Sequence, residues 1–396
     1  METVKSSALT PEEAKQLHYE ALVIDYNPPA TTGLLFTDAM KEALHEWASF
    51  GMTRVEANER LSAMAVREVQ TSPDARAAYL AVLEQAGVTI ANATYGAMPP
   101  RLEDVFEKAV ARVAEARAFI DAFDGELVLV TSDSDIRRVH QEGKRGIIIN
   151  FQDTLPFGSE LDRIELFYNM GLRVVQLTYN LRNLVGDGCT EIHGSGLTYF
   201  GREVVARLNG LNMVVDVSHC SPQVGWDSLE VSTAPIMVTH SCSATLSYHD
   251  RGKDDDLARA VAHKGGFFGV VVIPGFLQTS FEATLDDFAD HVEHLVGVMG
   301  IDHVGISTDK AGPGGGTSSL IEYPGSMPET RPGTFNWSGF RPKEHRNTEP
   351  YHMVGYDDIR DWPNLTMKLA ERGFDEEELR KLLGLNYARV SKEIVG

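Results

Sequence analysis

The sequence predicts an α/β protein folded as a (β/α)8 TIM-like barrel, and three observations lead there. Eight short runs are continuously apolar rather than alternating, as parallel strands buried on both faces require. Amphipathic helical stretches separate them. The first strand is not followed by the Gly-rich turn that opens a dinucleotide-binding sheet, which favours a closed barrel. A length of 396 residues suits one such barrel with insertions, because α/β barrels commonly exceed about 200 residues as a single domain. Residues 1–396 are therefore read as one unit.

The elements follow in order. LVID (22–25) is the first strand; it stops on Asp25 and runs into Tyr26-Asn27-Pro28-Pro29, a turn stiffened by the proline pair. Residues 37–87 are a mostly helical insertion. VTIANATY (88–95) is the second strand, and ELVLVTS (126–132) an additional strand at the barrel's edge. GIIINF (146–151) and VVQLTY (174–179) are the third and fourth. MVVDVSH (213–219), PIMVTH (235–240), GFFGVVVI (266–273) and HVGIST (303–308) complete the eight. SELDRIELFYNMG (159–171), FGREVVARLNGLN (200–212) and LDDFADHVEHLVGVMG (285–300) carry helical periodicity. Residues 311–350, rich in Gly, Pro and Ser, form a long loop after the eighth strand. Its GPGGG (312–316) lacks the GK[ST] of a phosphate loop. Two helices close the chain.

The composition, 43% hydrophobic and 23% charged, supports a large core. A net charge of −21 argues against nucleic acid or an anionic membrane as partner, since both reward a basic face. The N-terminus lacks the apolar segment of a secretory signal, and no apolar run nears the ~20 residues of a membrane span. Cys189, Cys220 and Cys242 are odd in number and lack C-x-x-C spacing, which points to free thiols in a reducing cytoplasm.

In such a barrel, chemistry is carried at the C-terminal ends of strands. The fifth ends on His219, the sixth on His240 and the eighth on Asp309; the third delivers Gln152 and Asp153, the fourth Tyr179 and Asn180. Two imidazoles from adjacent strands and a carboxylate across the mouth are what a metal-dependent hydrolase needs. A lone strand-end histidine is more often a capping group, but two at matching ends with an acid favour the functional reading. His291-x-x-His294 lies on a helix, without the H-E-x-x-H pattern, and is read as a solvated face. Arg251, after the sixth strand, can bring a guanidinium to an acidic substrate group.

VVDVSH, PIMVTHS about twenty residues later, His249-Asp250-Arg251 and HVGISTD together resemble the membrane (renal) dipeptidase family of zinc metallopeptidases. The resemblance runs from about Leu22 to the C-terminal helices. LTYNLRNLVGDGC (177–189) and INFQDTLPFG (149–158) are similar to a divergent bacterial branch. It implies that His219 and His240 ligate metal, Arg251 binds a terminal carboxylate and Asp309 handles protons. The family also has a His-x-Asp after the first strand, a bridging Glu after the third and a His after the fourth. Here those positions hold Asn27-Pro28-Pro29, Gln152 and Tyr179.

The expectation is therefore a reduced, mononuclear site for one divalent metal, zinc or else manganese or iron. His219, His240 and Gln152 would ligate it, with Asp309 as general base and Tyr179 as oxyanion donor. Arg251, Asn27, Tyr26 and Asn180 would contact a small-molecule substrate, in a cytoplasmic homodimer. The function implied is dipeptidase-like hydrolysis of an amide bond. Two alternatives stand beside it: another enzyme acting on a small nitrogenous metabolite, with a different metal or none, and an inactive homologue. Joint retention of His219, His240, Asp309 and Arg251 argues against the last.

Overall fold

The fold is taken from a computed structural model that describes residues 9–26, 31–96, 104–279, 282–309, 321–328, 331 and 352–396. The continuous apolar runs become eight parallel strands: β1 (Ile24–Tyr26), β2 (Ile90–Thr94), β3 (Arg145–Phe151), β4 (Leu172–Gln176), β5 (Val214–Asp216), β6 (Met237–Ser241), β7 (Phe267–Val270) and β8 (Val304–Ile306). They pair in that order, giving the barrel-like α/β fold the sequence predicts. Helices Asp38–Ser49, Arg54–Thr71 and Pro73–Ala86 lie between β1 and β2, with N-caps Thr37, Thr53 and Ser72. The extra strand, Leu127–Leu129, pairs in parallel with the start of β3, off the eight-strand path. A small pairing of Glu282–Thr284 with His352–Val354 had no counterpart in the sequence reading. Most of the 311–350 loop, and Asn27 with Pro28 and Pro29, lie outside the described residues.

Strand alternation divides the core in two. Ile24, Ile90, Ile148, Val174, Val214, Met237 and Phe267 point one way and meet Tyr387, Val390 and Ile394 of the last helix. Val23, Ala91, Ile147, Val175, Val215 and Val238 point the other way, into the larger cluster formed with the surrounding helices. The helix Asn386–Val395 thus covers the inward residues of the strands, leaving chemistry to their C-terminal ends. The π-helical turn Lys381–Leu385 before it passes so close to β1 that a Cβ on Gly384 would lie 2.4 Å from the Leu22 carbonyl oxygen. Only glycine fits there.

Several strands are shorter than their apolar runs, and the reason is local chemistry. β5 and β6 pair only at Asp216 opposite Met237. Beyond that point side chains take over the backbone donors. The Asp216 carboxylate accepts from Ser218 N at 3.0 Å and Thr239 N at 3.1 Å, and Ser218 Oγ accepts from His240 N at 3.1 Å. A ladder is exchanged for side-chain bonds at the point where β5 and β6 deliver their histidines.

The seam between β8 and β1 is closed in a similar way. No ladder joins them among the described residues. The buried Asp25 carboxylate instead accepts from Thr308 N and Thr308 Oγ1, both at 2.7 Å, and from Trp362 Nε1 at 3.1 Å. The Tyr26 carbonyl accepts from Ser307 Oγ at 3.1 Å and Asp309 N at 3.3 Å. Burial pushes the Asp25 carboxyl up to about 7, against the pull of these donors. Trp362 in turn stacks on His18, with ring centroids 5.1 Å apart. His18 Nε2 donates to the Ala86 carbonyl and Nδ1 accepts from Thr366 Oγ1, each at 2.9 Å. Both ring nitrogens are satisfied in the neutral form, and burial lowers the His18 pKa to about 4. No helix among the described residues is long and apolar enough to cross a membrane.

Two predictions follow from the seam. Because His18 is favoured neutral in the fold, its contribution is present above its unfolded value of 6.5 and is lost as pH falls through about 4. Relative to His18→Gln, the protein should lose roughly 3 kcal/mol between pH 7.5 and pH 4; urea unfolding giving a pH-independent difference would refute this. Asp25→Asn turns an amide NH2 toward either Thr308 N or the Thr308 Oγ1 and Trp362 Nε1 pair and should destabilise by about 2–4 kcal/mol. An unchanged thermal midpoint would rule out the seam as described.

Candidate metal centre at the barrel mouth

The C-terminal ends of β3 to β6 and β8 bring Gln152, Tyr179, Asn180, His219, His240 and Asp309 together. His219 Nε2 and His240 Nε2 face each other at 2.8 Å. Gln152 Nε2 lies 3.4 Å and Asp309 Oδ2 3.7 Å from His240 Nε2. One ligand atom from each of His219, His240 and Asp309 falls within 4.8 Å of the others. Asp309 carries a positive φ of 40° as the chain leaves β8. That turn costs energy in a non-glycine residue, and the Asp309 N–H to Tyr26 carbonyl bond helps to hold it.

Each imidazole is fixed from behind. His219 Nδ1 lies 2.6 Å from Asn180 Oδ1, and His240 Nδ1 lies 2.8 Å from Thr239 Oγ1. Tyr179 stacks on His219, centroids 4.3 Å apart and planes at 23°; Tyr26 stacks on His240 at 4.7 Å and 17°. Asn180 adopts φ 58°, which its short polar side chain tolerates. The chain then turns back so tightly that a Cβ on Gly188 would lie 2.0 Å from the Asn180 carbonyl carbon.

This donor set fits one divalent metal. A zinc–nitrogen distance of about 2.0–2.1 Å with tetrahedral angles separates two nitrogens by about 3.3 Å, so the rings need part by only about 0.5 Å. Burial, then the Arg251 guanidinium, hold both histidines well below the ordinary imidazole range. They are neutral at pH 7, as ligands must be.

The remaining residues expected at the site are placed as follows. Tyr26 is buried, its hydroxyl donating to Asp216 Oδ2 at 3.2 Å. Asn180 is buried against His219. Arg251 is fully buried; its terminal nitrogens donate to the carbonyls of Ser218 and of His240, the latter at 2.8 Å. All three are engaged by protein groups. Tyr179 is half-buried beside His219. The three cysteines are free and buried.

His291 departs from the sequence reading. It is buried, accepting from Ser243 N and donating to the Leu277 carbonyl, both at 3.1 Å, because it lies on the inward face of its helix. His294, one turn on, meets Asp255 at 2.8 Å. Sequence reasoning also passed over Asp216, Thr239 and the buried Lys253, whose ammonium donates to the Cys220 carbonyl at 2.8 Å. The available signal was an acid set inside the apolar run MVVDVSH, which is costly to bury unless its partners are built in.

The chain is similar to known proteins along most of its length. Residues 51–324 match the family model described as membrane dipeptidase (peptidase family M19). The chain is 25% identical over 279 residues to the dipeptidase tcpJ of Claviceps purpurea, covering 69% of this chain and 57% of that protein. It is 28% identical over 285 residues to an uncharacterized dipeptidase of Schizosaccharomyces pombe, covering 70% and 60%. The match thus spans somewhat under two thirds of these relatives' length. Among solved structures, an amidohydrolase from Pseudomonas aeruginosa is similar at 26% identity with a TM-score of 0.69, covering 98% of this chain and 99% of that one.

Proposed function

The chain belongs to the membrane dipeptidase family, and on that premise we propose that it is a dipeptidase-like, metal-dependent hydrolase cleaving an amide bond in a small amino-acid-derived substrate. The observation that carries this reading is the convergence of His219 Nε2, His240 Nε2 and the Asp309 carboxylate at one point of the mouth. Its similarity to a structure described as an amidohydrolase supports the bond type.

One divalent metal held by His219 and His240, zinc in the first instance and manganese or iron otherwise, supplies Lewis acidity there. Asp309 offers a carboxylate oxygen, and Gln152, whose Nε2 lies 3.4 Å from His240 Nε2, would complete the set through its oxygen once its amide turns over. Asp309, partly exposed, accepts the proton released from the attacking water. Burial, and then the nearby Asp309 charge, raise the Tyr179 pKa, so its hydroxyl stays protonated and donates to the developing oxyanion. Tyr26, Asn180 and Arg251 shape the site by fixing its ligands and strands.

The charge balance supports a single metal. Two dications about 3.5–4 Å apart repel by on the order of 20 kcal/mol at an effective dielectric of 20. Gln152 brings no negative charge to offset this, and Arg251 and Lys253 lie buried behind the histidines. A second reading, an amide hydrolase for a substrate without a free carboxylate, is favoured by Arg251, whose guanidinium is clamped on main-chain carbonyls. The substrate is a small molecule, and the working unit we propose is a cytoplasmic homodimer. The net charge of −21 is in keeping with no nucleic-acid or membrane partner.

Elemental analysis of the purified protein should find one equivalent of metal per chain, lost in His219→Ala and His240→Ala. Two equivalents would overturn the single-metal reading, and none would overturn metal dependence. With a panel of dipeptides and of amides lacking a C-terminal carboxylate, Tyr179→Phe should lower kcat about 100-fold with little change in KM. A change confined to KM would remove Tyr179 from the oxyanion role.

A further inference from the structure

We propose that Asp216, acting through the Thr239 hydroxyl, is the positioning residue that puts the proton of His240 on Nδ1 and turns its bare Nε2 toward the metal. The idea rests on the metal reading above only for its effect on affinity; the proton's place can be read without metal.

The donors crowded around Asp216 point the Thr239 and His240 protons one way. Asp216 is fully buried. Its Oδ1 accepts from Ser218 N at 3.0 Å, Ser218 Oγ at 2.6 Å and Thr239 N at 3.1 Å. Its Oδ2 accepts from Thr239 Oγ1 at 2.6 Å and Tyr26 OH at 3.2 Å. Burial raises the Asp216 pKa, and five donors facing one carboxyl oppose that rise, matching an ionised, acceptor-only group. Thr239 has one hydroxyl proton, and the short bond to Asp216 takes it. The Thr239 oxygen therefore shows a lone pair to His240 Nδ1 at 2.8 Å, and Nδ1 must carry the hydrogen. Ser218 Oγ, 3.1 Å from Thr239 Oγ1, gives its own proton to Asp216 and competes for nothing.

His219 reaches the same state by another route, since the Asn180 carboxamide oxygen, also facing the Cys189 thiol at 3.3 Å, accepts from its Nδ1. Two different devices thus turn two Nε2 lone pairs toward each other 2.8 Å apart, an arrangement that is repulsive until a cation lies between them. A carboxylate behind a ligating histidine is a general way to orient it and raise its basicity. Here a hydroxyl is inserted between the two, while Tyr26 holds the ring by stacking on its face and Asp216 by its own hydroxyl bond.

Thr239→Val keeps the side chain's shape and leaves Asp216 four donors but breaks the relay; Thr239→Ser restores it. In metal-free protein labelled with 15N-histidine, His240, identified by its loss in His240→Ala, should show a protonated Nδ1 in the wild type and Thr239→Ser. That signature should be lost in Thr239→Val. Calorimetric titration with Zn2+ alone should show affinity 10–100-fold weaker in Thr239→Val and within about threefold of wild type in Thr239→Ser. A bare Nδ1 in the wild type, or a Thr239→Val protein that keeps both the Nδ1 proton and its affinity, would overturn the relay. A wild type that binds no Zn2+ would overturn the metal reading instead, and the metal-free spectra would still decide the relay.

Discussion

The buried carboxylate of Asp216 is the group on which the mouth of this barrel depends. It sits where the ladder between β5 and β6 stops, and it replaces that ladder by collecting donors from β1, β6 and the turn after β5. Without such a collector, the main-chain groups freed at the strand ends would be buried and unpaired, a penalty comparable to losing the bonds outright. With it, the two strands diverge enough to aim their terminal histidines at one point. Arg251 braces the same region from the other side through the carbonyls of Ser218 and His240. The scaffold and the candidate ligands are therefore not separable layers.

Asp25 plays the corresponding part at the seam. It joins β1 to β8 without a ladder and places the residue after Thr308, which is Asp309, at the mouth. The two carboxylates differ in consequence. Asp216 is held by donors at the strand ends of the barrel, whereas Asp25 also needs Trp362 from the C-terminal helices. Both are paired with donors rather than with basic side chains, which suits a mouth whose buried cations already lie behind the histidines.

Much of this was legible in the sequence, and the part that was not has a physical reason. Eight continuous apolar runs announce parallel buried strands, and the chain delivers them. The strands in MVVDVSH and HVGIST end earlier than their apolar runs because side chains accept from Ser218 N, His240 N and Thr308 N there. His219, His240 and Asp309 could be singled out because strand-end position is a matter of counting along the chain. The partners of Asp216 could not, since Thr239 and Tyr26 are far away in sequence and meet it only once the barrel forms. His291 was misread for a similar reason: which face of its helix turns inward is decided by packing against Ser243 and Leu277. The direction of the Arg251 guanidinium is likewise a tertiary fact that an H-x-R spacing does not contain.

The link from Asp25 to Trp362 has a consequence for how the chain is made. A ribosome releases the first strand early, yet the donors that compensate its buried acid come from residues 308 and 362. Gly384, which packs against the same strand, is later still. During synthesis the opening strand must therefore wait, solvated or shielded, while most of the barrel is laid down beside it. The barrel closes at the place where its strands began, and only a chain that has reached Trp362 can hold Asp309 at the mouth.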